Sequence, residues 1–103
     1  MKDRPAQVAE GDERRSFYLV EAYMPSARAE ALTESALRAR SAARALTGQG
    51  MPVRYVRSTF LLEDETCFHV FEAASAASVW EASRRAALGA ARVLPVLEAR
   101  CLS

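Results

Sequence analysis

The segment from Val53 to Ala73, VRYVRSTFLLEDETCFHVFEA, constrains this chain more than any other. Two arms rich in β-branched and aromatic residues flank a short acidic run, Glu63, Asp64 and Glu65. Such residues suit a pleated, half-buried surface, so the segment reads as a β-hairpin. Each arm carries a polar group among apolar neighbours, Arg57 in the first and His69 in the second. His69 is the only histidine of the 103 residues, and it falls inside a strand rather than on a loop.

A chain of this length is one domain, able to bury a moderate core. Fourteen basic and thirteen acidic residues leave a net charge of +1. That balance argues against a nucleic-acid binder driven by phosphate neutralisation and gives no support to an anionic-membrane binder. Cys67 and Cys101, the two cysteines, have neither the CxxC spacing of a zinc site nor the density of a disulfide framework. They read as reduced thiols. No apolar run approaches the ~20 residues of a spanning helix, and the first residues lack a signal-peptide core. The expectation is a cytoplasmic protein.

Residues 1–15 are dense in mixed charge and poor in large apolar side chains, the composition of a flexible tail before a domain over residues 16–100. Phe17 to Met24 is the first strand, stopped by Pro25. Ser26 is placed to cap a helix running to about Thr47, with Leu32, Ala36, Ala39, Ala43 and Leu46 as its apolar stripe. Glu34 and Arg38 are spaced for an i,i+4 pair, and Arg40 and Arg44 read as solvated. Gly48, Gln49, Gly50 and Pro52 end the helix. After the hairpin, Ser75 caps a second helix from Ala76 to about Leu88, with Val79, Ser83, Ala86 and Ala87 inward and Trp80 beside that face. The last strand spans Arg92 to Ala99, where Pro95 demands an edge position or a bulge.

Strand, helix, strand, strand, helix, strand is the order of a split-βαβ, ferredoxin-like α+β fold. Right-handed crossovers predict a four-stranded antiparallel sheet in the order 4-1-3-2, with two helices on one face. Alternation assigns Val20, Val56, Phe60, Phe68 and Val70 to the helix side, with Ala22 and Ser58 leaving room there. The open face is then expected to carry Phe17, Leu19, Glu21, Tyr23, Tyr55, Arg57, Thr59, Cys67, His69 and Phe71. A solvent-washed face rarely holds so many aromatics, which predicts a homodimer enclosing a cavity, a dimeric α+β barrel.

YLVEAYMP, the hairpin and the alanine-rich helix after it resemble a family of small ferredoxin-like proteins, mostly of unassigned function, with a nickel-binding branch. The resemblance spans about Phe17 to Glu98. Through it the chain is similar to the dimeric α+β barrels, which include cofactor-free monooxygenases, polyketide cyclases and small isomerases. The family's histidines in the second strand and second helix are absent: Arg57 and Ser83 stand near those positions.

Three functions follow as expectations. The first is a small-molecule site on the open face, suited to cofactor-free catalysis in which His69 moves a proton, Glu21 orients it or acts as base, and Arg57 anchors an anionic oxygen. Leu19, Tyr23, Tyr55, Thr59, Cys67 and Phe71 would line it. The second is nickel or another transition metal held by His69, Cys67 and Glu21, with ligands pooled between subunits. The third is a non-catalytic dimeric interaction module.

Overall fold

The computed structural model describes residues 15–99. Most of the expected tail, residue 100 and Cys101 lie outside the described residues. The elements are β1 (Ser16–Tyr23), α1 (Ala29–Gly48), β2 (Val53–Leu61), β3 (Thr66–Ala73), α2 (Ala76–Arg85) and β4 (Ala90–Val96). The sheet runs β2-β3-β1-β4, every pairing antiparallel, which is the expected order read from the other edge. Pro95 sits on β4, an edge strand, where its missing N–H breaks no second ladder. That strand begins two residues earlier than expected, at Ala90, and ends at Val96 rather than Ala99.

Both helices lie on one face. Ala39, Ala42, Ala43 and Leu46 of α1 and Val79, Ala82 and Ala86 of α2 form the core with Val20, Val53, Phe71 and Ala73 of the sheet. The small side chains of α1 let the helix axis approach the strands closely. Leu32 and Ala36, expected in the stripe, are only half-buried, and Ser35 is buried in their stead.

Two terminal features differ from expectation. Ser26 does not cap α1: the N-cap is Arg28, with no side-chain cap. Ser26 instead sits in a left-handed turn (φ 60°), its amide donating to Glu65 Oε2 at 3.1 Å. Arg38 does not pair with Glu34; its Nε donates to the Ala86 carbonyl at the C-terminal end of α2, at 2.8 Å. A cation there meets the negative end of the helix dipole and ties the two helices together. Ser75 does cap α2, accepting from the Ser78 amide at 3.3 Å.

The helices end in the same Schellman motif with different residues. After α1, Met51 N–H bonds Leu46 O and Gly50 N–H bonds Thr47 O, with Gly50 at φ 92°. After α2, Leu88 N–H bonds Ser83 O and Ala87 N–H bonds Arg84 O, but the left-handed residue is Ala87, at φ 54°. A Cβ in that conformation costs roughly 1 kcal/mol, which glycine avoids. Ala87→Gly is therefore expected to stabilise the domain by about that amount, read as a rise in the urea midpoint. An unchanged or lower midpoint would show that the turn carries no strain.

Candidate functional site

The sheet presents two chemically different faces, and β3 decides which residues go where. Its register against β1 sets Tyr18 opposite Phe71, Val20 opposite His69 and Ala22 opposite Cys67. Cross-strand partners share a face, and Val20 and Ala22 are fully buried beneath the helices. Cys67, His69 and Phe71 therefore lie on the helix side, and Phe68 and Val70 on the open side. This corrects the assignment made from alternation. Both faces of β3 are apolar, so the pattern alone did not orient the strand.

A bulge corrects β2 as well. The register shifts between Tyr55 and Arg57, leaving Val56 as the extra residue. Side-chain parity reverses across a bulge. Tyr55 thus faces the helices, packing edge-on to Phe71 with centroids 5.7 Å apart, while Arg57 and Thr59 face outward. Of the expected site residues, Leu19, Glu21, Tyr23, Arg57 and Thr59 share the open face. His69, Cys67, Tyr55 and Phe71 are gathered behind it.

The buried group is a polar cluster inside an apolar layer. His69 Nδ1 lies 2.6 Å from Ser58 Oγ, which lies 2.6 Å from Tyr55 Oη; Cys67 Sγ is 3.9 Å from the same nitrogen. His69 Nε2 is buried with no hydrogen-bond partner. An orphaned buried N–H is rarer than an orphaned acceptor. The favoured order therefore has Nδ1–H donating to Ser58 and Ser58 to Tyr55, with only a lone pair left at Nε2. Burial, aided by the nearby Arg38 charge, pulls the His69 pKa down to about 4. Burial also pushes the Cys67 thiol up to about 11, so neither group is charged near neutral pH.

The open face is organised in rows across the strands. Arg54, Glu72, Phe17 and Val96 form one; Arg57, Val70, Leu19 and Leu94 the next; then Thr59, Phe68, Glu21 and Arg92; then Leu61, Thr66 and Tyr23. Its inner strands are apolar at Phe17, Leu19, Phe68 and Val70 and carry Glu21 and Glu72, each paired with an arginine of an edge strand. Glu21 accepts from Arg92 Nε at 2.7 Å, and Glu72 from Arg54 at 2.8 Å. Glu21 and Arg57 thus do not neutralise one another.

Arg57 pairs with Glu98 at 2.8 Å, a contact with a topological consequence. β2 and β4 are opposite edges of the sheet, yet Glu98 stands only two residues beyond β4. The chain after Val96 must turn inward across the open face as a strap. Beneath the ion pair Val70 is only 2% exposed, although no helix covers that side. The strand expected to run to Ala99 ends at Val96, and Leu97 to Ala99 form the strap instead. The acid at Glu98, spaced to reach Arg57 only if the chain crosses, was the signal available.

The metal donors expected from the sequence are not assembled. Cys67 and His69 are neighbours, but Glu21 lies on the opposite side of the sheet and is held by Arg92. Among the described residues no group of three or more His, Cys, Asp or Glu side chains is placed to hold an ion. The described residues of one subunit do not by themselves fit a nickel ion. No described helix is long and apolar enough to cross a membrane.

This order of strands, with helices on one face only, defines a ferredoxin-like α+β domain. The chain belongs to the family described as nickel responsive protein SCO4226-like, which it matches over residues 18–96. Its fold is similar to the crystal structure of SCO4226 from Streptomyces coelicolor A3(2), with a TM-score of 0.66 at 16% identity, covering 82% of this chain and 100% of that one. No curated protein matches the chain.

Proposed function

We propose that the chain acts as a homodimer whose open sheet faces enclose a small organic molecule, anionic or aromatic in character. The observation that carries this reading is the helix-free face itself, where Phe17, Leu19, Phe68, Leu94 and Val96 stay half-buried under the strap and Leu61, Tyr23 and Leu97 are exposed. Exposed apolar surface of that continuity is costly in water, and a second copy supplies a matching surface by twofold symmetry. Thr59 offers a hydroxyl to an oxygen-bearing ligand, and Arg57 would contact one that displaces Glu98. The function is binding rather than proton transfer: His69 lies behind the sheet, and Glu21 is engaged by Arg92. Sedimentation of the full chain is expected to return a dimer; a monomer at micromolar concentration would end this reading.

Membership of a nickel-responsive family favours a second reading, a response to that metal. Because the described residues of one subunit do not gather the donors, ligands on this reading are pooled between two. Calorimetric titration with nickel near neutral pH separates the readings. Stoichiometric binding that disappears when the dimer is broken supports the metal, and no heat removes it.

A further inference from the structure

We propose a second ligand site, independent of the open face, in a groove between α1 and the start of β2 that takes a small molecule bearing phosphate or carboxylate groups. The groove holds about 500 Å³ and is lined by Arg15, Arg40, Arg44 and Arg54, with Ala43, Val53 and Tyr55 supplying apolar surface. That volume is within the range of small-molecule pockets.

Three parts of the chain converge to build it. Arg40 and Arg44 are one turn apart on α1 and so project from one side of the helix. Arg54 is the second residue of the edge strand β2. Arg15 immediately precedes β1, whose first residue, Ser16, lies opposite Ala73, itself opposite Val53. Read along the chain, Arg40 and Arg44 look like two solvated charges; only the fold brings them beside Arg54 and Arg15.

The charge is concentrated. Among the described residues, Arg54 alone of the four is paired with a carboxylate, Glu72. Arg54 borders the groove from its place on the edge strand while its guanidinium turns to Glu72 on the open face, so Arg15, Arg40 and Arg44 supply the charge. Gathered like charges repel one another, and an oxyanion placed among them converts that repulsion into charge-assisted hydrogen bonds. The wall is also held in place. Thr47 Oγ1 donates to the Val53 carbonyl at 2.9 Å and accepts from the Val53 amide at 3.1 Å, locking the last turn of α1 to the first residue of β2. A ligand therefore meets a formed groove rather than having to order one.

The test is a titration of the isotopically labelled full chain with pyrophosphate, and separately with citrate, at ionic strength held constant with sodium chloride. Saturable shifts are expected for the amides of residues 43–47 and 53–55 and for the arginine Nε–H signals of the groove. Saturation by pyrophosphate alone identifies phosphate as the ligand group, by citrate alone carboxylate, and by both a general oxyanion site. Arg40→Gln with Arg44→Gln should weaken binding about a hundredfold, roughly tenfold per lost charge-assisted contact. Both residues are exposed, so the folded spectrum should persist. The proposal is overturned if neither anion saturates, or if the double variant binds as tightly as the wild type.

Discussion

Acidification from about pH 7.5 to about pH 4 is expected to cost this domain roughly 3 kcal/mol through His69 alone. The imidazole is fully buried, and its pKa falls from 6.5 to about 4 on folding. The sign follows from proton binding. Between those values the unfolded chain holds a proton that the folded chain rejects, so stability rises with pH across the window. The contribution is complete above about pH 6.5, declines as the pH falls, and levels off below about pH 4. Protonation would put a charge in an apolar layer beside Arg38, whose guanidinium is held by Ala86 O and Ser35 Oγ. It would also fill the nitrogen that faces no partner. Urea midpoints for wild type and His69→Gln at pH 7.5 and at the acid end check this, because glutamine can still donate to Ser58 but does not titrate. The difference between the two slopes isolates His69 from carboxylates that titrate in both proteins. Equal slopes would remove the histidine from the acid response.

Leu61→Asp is expected to dissociate the proposed dimer while leaving each protomer folded. Leu61 is 44% exposed within one subunit, so a carboxylate there stays in water when the protein is monomeric. In a twofold interface the residue occurs twice, and losing about 2 kcal/mol of apolar burial at each copy raises the dissociation constant about a thousandfold. Leu97→Asp should act in the same direction. That residue is 98% exposed on the strap beside Glu98 and has no packing role in a single chain. Sedimentation velocity across a concentration series reads both variants, and circular dichroism checks their fold. Wild-type self-association that neither variant weakens would place the contact elsewhere, for instance at the unpaired edge of β2 or around the half-exposed Trp80.

The strap changes what such an interface would look like. An uninterrupted sheet face would meet its copy as a flat apolar layer. Here the Arg57–Glu98 pair lies across the middle, dividing the face into an end around Phe17 and Leu94 and an end around Leu61, Phe68 and Tyr23. The pair itself is half in water on the arginine side, and contributes little to stability as an isolated surface bridge. Its effect is to hold the crossing segment in place.

What the sequence by itself determined is the succession of elements and the architecture. Pro25 stops β1, Gly50 and Pro52 close α1, Ser75 opens α2, and Pro95 requires an edge strand; each acts through its own backbone chemistry, within a few residues. With the elements known, the handedness of crossovers leaves one reasonable strand order. The tertiary structure alone decided which face each side chain occupies. β3 is apolar on both sides, so its orientation rests on register against Val20 and Ala22 rather than on its own pattern. Cys67 and Phe71, expected on the open face, turn inward with that register. His69 between them could follow only because Ser58 and Tyr55 stand ready to partner it. The bulge at Val56 then separates Tyr55 from Arg57, a parity change that depends on pairing between strands. Ion-pair partners 41 and 71 residues apart, Arg57 with Glu98 and Glu21 with Arg92, follow from the same cause. Backbone preferences are local and leave a local record in the sequence; the choice of face and partner is made by packing between distant segments, and only the folded chain contains it.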